Sequence, residues 1–299
     1  MIRLRKPNNS LSAPLSTLFG LGPWSGTTSS TRAAWSVHCG DTTQILQKLK
    51  ADYFRCIITS PPYYWQRDYG VQGQIGIEET VEGYVSAICA AMDGVKRVLH
   101  PKGVLFLNLG DTYYSGKGKP QGDDRKHNGR RFHNHLRAVD KTGLGPPKKT
   151  LLGMPWRVAL EMIERDWILR SSIIWRRKNP IPEPSAKDRP KRSYEFIFMF
   201  SKTRYYRFDR RQLENSGDED VWTIESRPQK GRTHPAVFPT ELVNRCLDVG
   251  NTKRGPVLDP FAGSGTVLKA AVARGMPTVG IDLNAAFCAS MVKALSGTE

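Results

Sequence analysis

Phe-Arg-Cys-Ile-Ile-Thr-Ser-Pro-Pro-Tyr, residues 54–63, starts as an apolar run and stops at a pair of prolines. Such a run is typical of a strand that is buried on both faces of a sheet. Because proline has no N–H to donate to a neighbouring strand, the strand must end at Pro61 and Pro62. The groups at the turn, a serine hydroxyl, a prolyl carbonyl and a tyrosine ring, are therefore predicted to lie at the edge of a sheet.

Strands and helices alternate on either side of this run. Short apolar runs are followed by segments with helical spacing of their apolar residues along most of the chain. This alternation predicts an α/β fold with a doubly wound, mostly parallel, Rossmann-like sheet. The predicted strands are residues 35–39, 54–59, 103–109, 167–175, 194–201, 256–258 and 278–281, and the predicted helices are residues 42–49, 80–99, 154–165, 240–247, 265–274 and 285–295.

Three parts of the 299-residue chain depart from this alternation. Residues 1–33 carry four basic and no acidic residues among many Ser, Thr, Gly and Pro, which favours a disordered basic arm over a transit peptide. Residues 34–299 are predicted to form one folded domain. Two irregular segments, 113–150 and 203–232, interrupt the alternation and are predicted to be insertions in that domain. Long loops of this kind usually serve a function.

The charge of the chain indicates a polyanionic partner. The net charge is +17, which favours nucleic acid, the alternative being a soluble basic protein without such a partner. Residues 113–150 hold ten Lys or Arg against three Asp, as expected of a loop that follows phosphates. The five cysteines contain no Cys-x-x-Cys pair, which argues against disulfides and a zinc site and favours the cytoplasm. Neither a metal site nor a membrane span is expected.

A second motif lies far along the chain, between an apolar strand and a helix. Residues 259–266 read Asp-Pro-Phe-Ala-Gly-Ser-Gly-Thr, whose glycines allow a tight turn and close approach of a ligand. Leu268 stands where a dinucleotide fingerprint needs a third glycine, and the Gly-Lys-Ser/Thr of a phosphate-binding loop is absent. Asp282 ends the next strand and suits ribose hydroxyls, the alternative being a helix cap before Ala285. S-adenosylmethionine fits this pattern because it is a nucleoside without a pyrophosphate.

The turn after the first strand suits an exocyclic base amine. Such an amine is a weak nucleophile because its lone pair is delocalised into the ring. The Ser60 hydroxyl and the Pro61 carbonyl can accept its hydrogens, and Tyr63 can stack on a base flipped out of the duplex. Catalysis would then come from positioning and oriented dipoles, the alternative being a turn that only ends a strand. No cysteine follows a proline, so covalent attack on carbon 5 of cytosine is not expected.

With these two motifs the chain resembles the DNA amino-methyltransferases, which modify cytosine N4 or adenine N6. The resemblance spans about residues 35–293, and the motif order is similar to the circularly permuted β-type. Segments 38–41 and 234–239 resemble the family's cofactor-binding segments, while 174–180 and 64–70 resemble the base pocket and the loop over the flipped nucleotide. The resemblance implies the catalytic residues Ser60, Pro61, Pro62 and Tyr63, and the cofactor-binding residues Asp41, Pro235, Phe238, Asp259, Phe261, Gly263, Ser264, Gly265, Thr266 and Asp282.

The predicted function is site-specific methylation of double-stranded DNA at cytosine N4, with S-adenosylmethionine as the methyl donor. Serine at position 60 favours cytosine, whereas Asp or Asn there would favour adenine N6, which is the first alternative. A catalytically dead DNA-binding scaffold is the second, although its expected sign, erosion of the two motifs, is missing. The resemblance further implies a restriction–modification or phage system with a cognate restriction endonuclease, a monomer or dimer, and a nucleoid-associated cytoplasmic location. Base readout is expected from Arg or Lys in the two insertions.

Overall fold

The computed structural model describes residues 23–114, 146–179, 186–214, 219–225, 239–251 and 253–297. Within these ranges strands and helices alternate as the sequence predicts. The strands are β1 Trp24–Thr27, β2 Ala34–Cys39, β3 Phe54–Thr59, β4 Leu99–Leu109, β5 Ile168–Arg177, β6 Tyr194–Ser201, β7 Val221–Ile224, β8 Val257–Asp259 and β9 Thr278–Asp282. The helices are α1 Thr42–Lys48, α2 Val81–Val98, α3 Met154–Glu164, α4 Arg211–Glu214, α5 Thr240–Gly250, α6 Thr266–Ala273 and α7 Ala285–Ser296.

The strands of the described ranges form one sheet in the order β1-β2-β9-β8-β3-β4-β6-β5-β7. Neighbouring strands pair parallel except for β1 with β2, β4 with β6 and β5 with β6. Parallel neighbours need crossover connections, and helices supply them here. The predicted fold class, a doubly wound and mostly parallel Rossmann-like sheet, is confirmed.

Helices cover both faces of this sheet. Helices α1, α2 and α3 pack on one face around Ile57 and Met92, and α4 to α7 pack on the other around Leu268 and Met291. The central strands are apolar on both faces, so each face needs a helical layer to keep it from water. None of the helices described combines the length and the apolar character needed to span a bilayer.

Two edge strands lie where the sequence indicates irregular structure. Strand β1 pairs with β2 ten residues before the expected start of order at Ala34, so the expected disorder is wrong for Trp24–Thr27. Strand β7 lies in the predicted insertion 203–232 and buries Trp222 completely. Each strand has four residues, too few to show a period, and forms because a neighbouring strand offers free hydrogen-bonding groups. Residues 1–22 lie outside the described residues.

Candidate active site

Those predicted site residues that the structure describes lie at the carboxyl edge of four neighbouring strands. Strands β2, β9, β8 and β3 lie side by side and run parallel. Strand β2 leads to Asp41, β9 ends at Asp282, β8 ends at Asp259 and β3 leads to Ser60. Ligands bind outside the carboxyl ends of the strands in open α/β sheets. The fold therefore brings together two motifs that lie far apart in the sequence.

Two groups of residues share this edge, and one buried hydrogen bond joins them. The Thr59 hydroxyl, at the end of β3, donates to Asp259 Oδ1 on β8 over 2.8 Å. The first group, the carboxylate side, consists of Asp41, Asp259–Thr266 and Asp282. The second group, the tyrosine side, consists of Ser60–Tyr63, Asn108, Gly110, Arg177 and Glu195.

Asp259 is a buried carboxylate at the centre of the carboxylate side. Its Oδ1 accepts hydrogen bonds from the Thr59 hydroxyl and, over 3.1 Å, from the backbone N–H of Phe261. Burial raises the pKa of Asp259 from 3.8 to about 7, because a charged carboxylate loses its hydration there. The protein thus holds a carboxylate that is partly ionised near neutral pH and open to stabilisation by a nearby cation.

The glycine turn that follows Asp259 needs its glycines. Gly263 and Gly265 have φ values of 51° and 73°, in the left-handed region that side chains disfavour. A Cβ at Gly265 would also approach Met291 Cγ to 2.7 Å. Helix α6 then begins at Thr266, and no side chain of the described residues caps it. Its first N–H groups therefore remain for a ligand.

Asp282 ties the end of β9 to the glycine turn. Its Oδ2 accepts from the Gly263 N–H over 2.7 Å, and its Oδ1 accepts from the Asn284 N–H over 2.8 Å. Burial raises the pKa of Asp282 from 3.8 to about 6. The cap of α7 is Asn284, whose side chain accepts from Ala286 and Phe287, so the helix-cap interpretation of Asp282 is wrong. The proposed contact of Asp282 with ribose hydroxyls stays a prediction.

Asp41 lies one strand further along the same edge. It caps α1, since Oδ1 accepts the Gln44 N–H over 3.0 Å and the Thr43 hydroxyl. The next residue, Thr42, is buried and its hydroxyl donates to the Pro260 carbonyl. The start of α1 is thereby held against the glycine turn. This places Asp41 beside the other members of the carboxylate side.

The tyrosine side is a network of side chains around one hydroxyl group. The Ser60 hydroxyl donates to the Tyr63 hydroxyl oxygen over 3.2 Å. Tyr63 in turn donates to Glu195 Oε2 at 2.7 Å, with Asn108 Oδ1 as a second acceptor at 2.9 Å. Asn108 Nδ2 donates to Glu195 Oε2 over 3.2 Å and to the Phe196 carbonyl over 3.0 Å. The hydroxyl hydrogen of Ser60 is used within the protein, which leaves its lone pairs to accept from a ligand.

The backbone seats the Tyr63 ring closely. A Cβ at Gly110 would lie 2.5 Å from Tyr63 Cε2, so the ring rests against the chain just after β4. The buried Tyr84 on α2 donates to the Pro62 carbonyl over 2.9 Å, and Pro61 is itself buried. The turn of Ser60–Tyr63 is therefore fixed from both sides. A turn that is fixed in this way suits a surface that binds a flat ring.

Glu195 is the acidic member of the tyrosine side. Its Oε1 faces Arg177 Nη1 at 3.3 Å, and the two side chains are only 15% and 11% exposed. Arg177 also donates to the Arg192 carbonyl over 3.2 Å. Burying such a pair is costly unless both charges are hydrogen-bonded. Both terminal nitrogens of Arg177 have partners here, whereas its buried Nε has none among the described residues.

Several members of the site are not among the site residues that the sequence predicts. Thr59 belongs to the motif around Ser60 without a predicted role, Glu195 to a predicted strand and Arg177 to the segment 174–180. A signal existed for Asn108 and Glu195, since each is a polar residue inside a run that is otherwise apolar. A polar side chain in a buried strand needs a partner, and the partners here come from other strands.

A loop after the tyrosine turn reaches across the mouth of the site. Gln66 donates to the Asp111 carbonyl over 3.2 Å near the tyrosine side. Tyr69 contacts the ring of Phe287 on α7 edge to face, with centroids 6.4 Å apart, near the carboxylate side. Segment 64–70 therefore spans both sides, and its closing over a flipped nucleotide stays a prediction.

Cationic side chains stack at the rim beyond β4. The Arg189 and Arg192 guanidiniums lie 3.7 and 5.5 Å from the centroid of the Tyr113 ring. Arg192 also donates to the Asp111 carbonyl. Stacked arginines at the mouth of the site offer planar positive charge to an anionic partner.

Part of the predicted site lies outside the described residues. Pro235 and Phe238 fall there, as do most of insertion 113–150 and parts of 203–232. In the described part of the chain no group of three or more His, Cys, Asp or Glu is placed to hold a metal ion. All five cysteines are buried and form no disulfide, and burial raises the pKa of the Cys56 and Cys246 thiols.

Most of the chain matches a known protein family. Residues 54–293 match the N6/N4 methyltransferase family described as DNA methylase. The chain is 39% identical over 268 residues to the type II methyltransferase M.Cfr9I of Citrobacter freundii, covering 87% of each chain.

Solved structures share the fold. The PvuII DNA methyltransferase, described as cytosine-N4-specific, superposes with a TM-score of 0.67 at 20% identity, over 89% of this chain and 87% of that one. TTHA0409 of Thermus thermophilus, a DNA modification methylase in complex with S-adenosyl-L-methionine, gives a TM-score of 0.58 at 20% identity over 88% and 95%. Both have the Rossmann-like sheet seen here.

Proposed function

This chain belongs to the N6/N4 DNA methylase family, and from that premise we propose that it is a type II methyltransferase that methylates cytosine N4 in double-stranded DNA. The observation that carries the proposal is the meeting of both motifs at one sheet edge, where Thr59 hydrogen-bonds to Asp259. Ser60–Tyr63 follows β3, and Asp259–Thr266 begins at the last residue of β8, the parallel neighbour of β3. A base and a methyl donor held at these two motifs would lie side by side.

The residues of the carboxylate side fit S-adenosylmethionine. The left-handed turn at Gly263 and Gly265 leaves room for a ligand to approach the backbone, and Asp282 stands at the end of the next strand. Asp259 is a buried carboxylate that a sulfonium or ammonium group would stabilise in its charged form. When bound, this cofactor supplies an electrophilic methyl group on sulfur. Pro235 and Phe238 remain proposed members of the same site.

The tyrosine side would prepare the amine. Because Ser60 donates its hydrogen to Tyr63, its oxygen acts as an acceptor and selects a donor such as an amino group. The Pro61 carbonyl supplies the second acceptor, and Tyr63 stacks on the flipped base. Two acceptors on the amine hydrogens draw the nitrogen toward a tetrahedral shape, so that its lone pair becomes available. The buried thiols of Cys56 and Cys246, with raised pKa values, do not suit a covalent mechanism.

The choice of base rests on Ser60, and the similarity of the fold to a cytosine-N4-specific enzyme supports it. Cytosine and adenine present the same amine, so adenine N6 is the alternative outcome of the test. DNA is the proposed partner in keeping with the net charge of +17, and insertions 113–150 and 203–232 are proposed to read the bases. A restriction endonuclease of the same specificity is proposed as the functional partner, in the cytoplasm.

Nucleoside mass spectrometry after incubation with DNA and labelled S-adenosylmethionine tests this proposal. We expect label in N4-methylcytosine. Label in N6-methyladenine would replace the proposed base, and absence of label in DNA with no cofactor binding by calorimetry would favour the dead scaffold. Ser60→Ala should abolish most activity, whereas Ser36→Ala, within β2 and before its carboxyl end, should not. A fully active Ser60→Ala protein would contradict the mechanism.

A further inference from the structure

We propose that Glu195 is a positioning residue that receives, through Tyr63 and Ser60, the proton that the target amine loses during methylation. The inference rests on the proposed function, because it concerns the same amine. It assigns a role to an acidic residue that neither motif contains. Glu195 lies on β6, an antiparallel strand from which the sequence predicts no site residue.

The hydrogen bonds form a continuous and directed path. Ser60 Oγ donates to Tyr63 Oη over 3.2 Å, and Tyr63 Oη donates to Glu195 Oε2 over 2.7 Å. The second contact is as short as an O–H donor to a carboxylate usually makes. Ser60 donates to Tyr63 and Tyr63 donates to Glu195, so both hydroxyl groups donate in the same direction along the path. The Ser60 oxygen is the atom expected to contact the amine. A proton entering at Ser60 would therefore leave at Glu195.

The surroundings of Glu195 hold its carboxylate in one orientation. Arg177 occupies the Oε1 side at 3.3 Å, while Asn108 Nδ2 and Tyr63 both donate to Oε2. The strand around it, Tyr194–Ser201, is otherwise apolar except for its last serine. Glu195 is a largely buried carboxylate paired with Arg177, and replacing such a pair by apolar residues is often neutral or stabilising. Stability alone therefore gives no reason for an acid at this position.

Tyr63 is suited to pass on a proton while remaining a neutral phenol. Burial, followed by the charge of Glu195, raises the pKa of Tyr63 well above its ordinary value, so the phenol stays protonated at neutral pH. It can thus give a proton to Glu195 only while it receives one from Ser60. The path works as a concerted shift of hydrogens along existing hydrogen bonds.

The step balances in atoms and charge. The amine lone pair forms the N–CH3 bond, and the S–CH3 bond breaks with its electron pair remaining on sulfur. The nitrogen, now positively charged, loses one hydrogen to Ser60 Oγ as a proton. Ser60 passes its own hydrogen to Tyr63, and Tyr63 passes its hydrogen to Glu195 Oε2. Glu195 becomes a neutral acid and later releases the proton to water.

Single-turnover methylation rates test the path. Glu195→Gln keeps the shape of the side chain but cannot take up the proton, and Tyr63→Phe keeps the ring but removes the hydroxyl. We expect each to lower the rate by about 10²-fold, in the range of general acid–base effects. The double variant should be no slower than the slower single one, because both changes cut the same path. Glu195→Asp should recover part of the rate.

A spectroscopic measurement on the protein alone gives a second readout. With tyrosines labelled at Cζ, the resonance of Tyr63 can be assigned as the one missing in Tyr63→Phe. Glu195→Gln should shift that resonance, since the carboxylate that accepts its hydrogen is gone. Glu161→Gln is the matched control: Glu161 is paired with Arg165 at 2.9 Å on α3 and should change neither resonance nor rate.

The outcomes separate the two proposals. An active wild-type protein with full-rate Glu195→Gln overturns the path alone, and so does a double variant whose loss equals the product of the single losses. An unchanged Tyr63 resonance in Glu195→Gln also contradicts it. A wild-type protein that methylates no base amine overturns the proposed function and the path with it.

Discussion

The two sides of the candidate active site are held in place by different kinds of contact. On the carboxylate side, Asp282 and Asp41 accept hydrogen bonds from backbone N–H groups of Gly263, Asn284 and Gln44. On the tyrosine side, Tyr63 meets side chains 45 and 132 residues further along the chain. Backbone contacts tie the carboxylate side to the fold itself. We therefore expect changes there to affect stability and cofactor binding, and changes on the tyrosine side to affect the chemical step.

The largest effect is expected from Gly265→Ala on the carboxylate side. The left-handed backbone and the contact with Met291 together should cost about 3 kcal/mol of the free energy of unfolding. Urea unfolding measures this loss, and calorimetry should show weakened cofactor binding. Gly275→Ala is the matched control, since Gly275 has the same φ of 73° with nothing within 4 Å of the added Cβ. Equal losses in both variants would contradict the role of Met291.

Gly110→Ala, on the tyrosine side, should lower the methylation rate without weakening cofactor binding. The added Cβ would push the Tyr63 ring from its seat, and a displacement of about 1 Å costs on the order of 10²-fold in rate. Methylation assays should show that loss, while calorimetry should show normal cofactor binding. Gly26→Ala also meets an aromatic ring, Trp35 at 2.8 Å, but far from the site, and should keep its activity. Loss of cofactor binding in Gly110→Ala would contradict the expectation that changes on the tyrosine side affect the chemical step and leave cofactor binding intact.

Thr59→Val tests the hydrogen bond that joins the sides. Removing the donor leaves Asp259 with one partner fewer and should cost about 2 kcal/mol of the free energy of unfolding, as for bonds to charged groups. The pKa of Asp259 should rise further, because Thr59 lowers it. Thr278→Val is the control: the buried Thr278 hydroxyl has no hydrogen-bond partner among the described residues, so its loss should be neutral or stabilising. Equal destabilisation of both variants would argue against the joining bond.

Asp259→Asn, on the carboxylate side, should change the pH dependence of the free energy of unfolding. Since the pKa of Asp259 is raised in the folded state, its contribution to stability is full below pH 3.8 and is lost as the pH rises through about 7. The variant lacks that loss, so between about pH 5 and about pH 8 it should gain about 3 kcal/mol relative to the wild type, since each pKa unit is worth about 1.4 kcal/mol. Denaturant unfolding at both pH values measures it. A constant difference would show that Asp259 does not titrate in this window.

Asp282→Asn should behave similarly but at lower pH. The pKa of Asp282 is raised to about 6, so the loss of stability in the wild type should be complete at a lower pH than for Asp259. Comparing the two variants assigns each part of the pH dependence to its carboxylate. The reverse order of the two transitions would contradict the assignment.

Much of the fold could be predicted from the sequence because its strands are long apolar runs. Strand Tyr194–Ser201 has the bounds that the sequence predicts, and β3 does as well. The edge strands β1 and β7 could not be found, because their four residues form only beside a partner. In the same way the turn at Ser60–Tyr63 was visible as a motif, while the acceptor of its tyrosine hydroxyl was not.

The α/β alternation, the two motifs and the basic character of the chain can be read from the sequence. These features are local: a run of apolar residues, a proline pair or a glycine turn acts within a few residues. The hydrogen bond from Thr59 to Asp259, the contact of Gly110 with the Tyr63 ring and the hydrogen bond from Tyr63 to Glu195 become visible only in the folded protein. Those contacts depend on the order of strands in the sheet. Strand order follows from packing the whole core, which no short segment encodes.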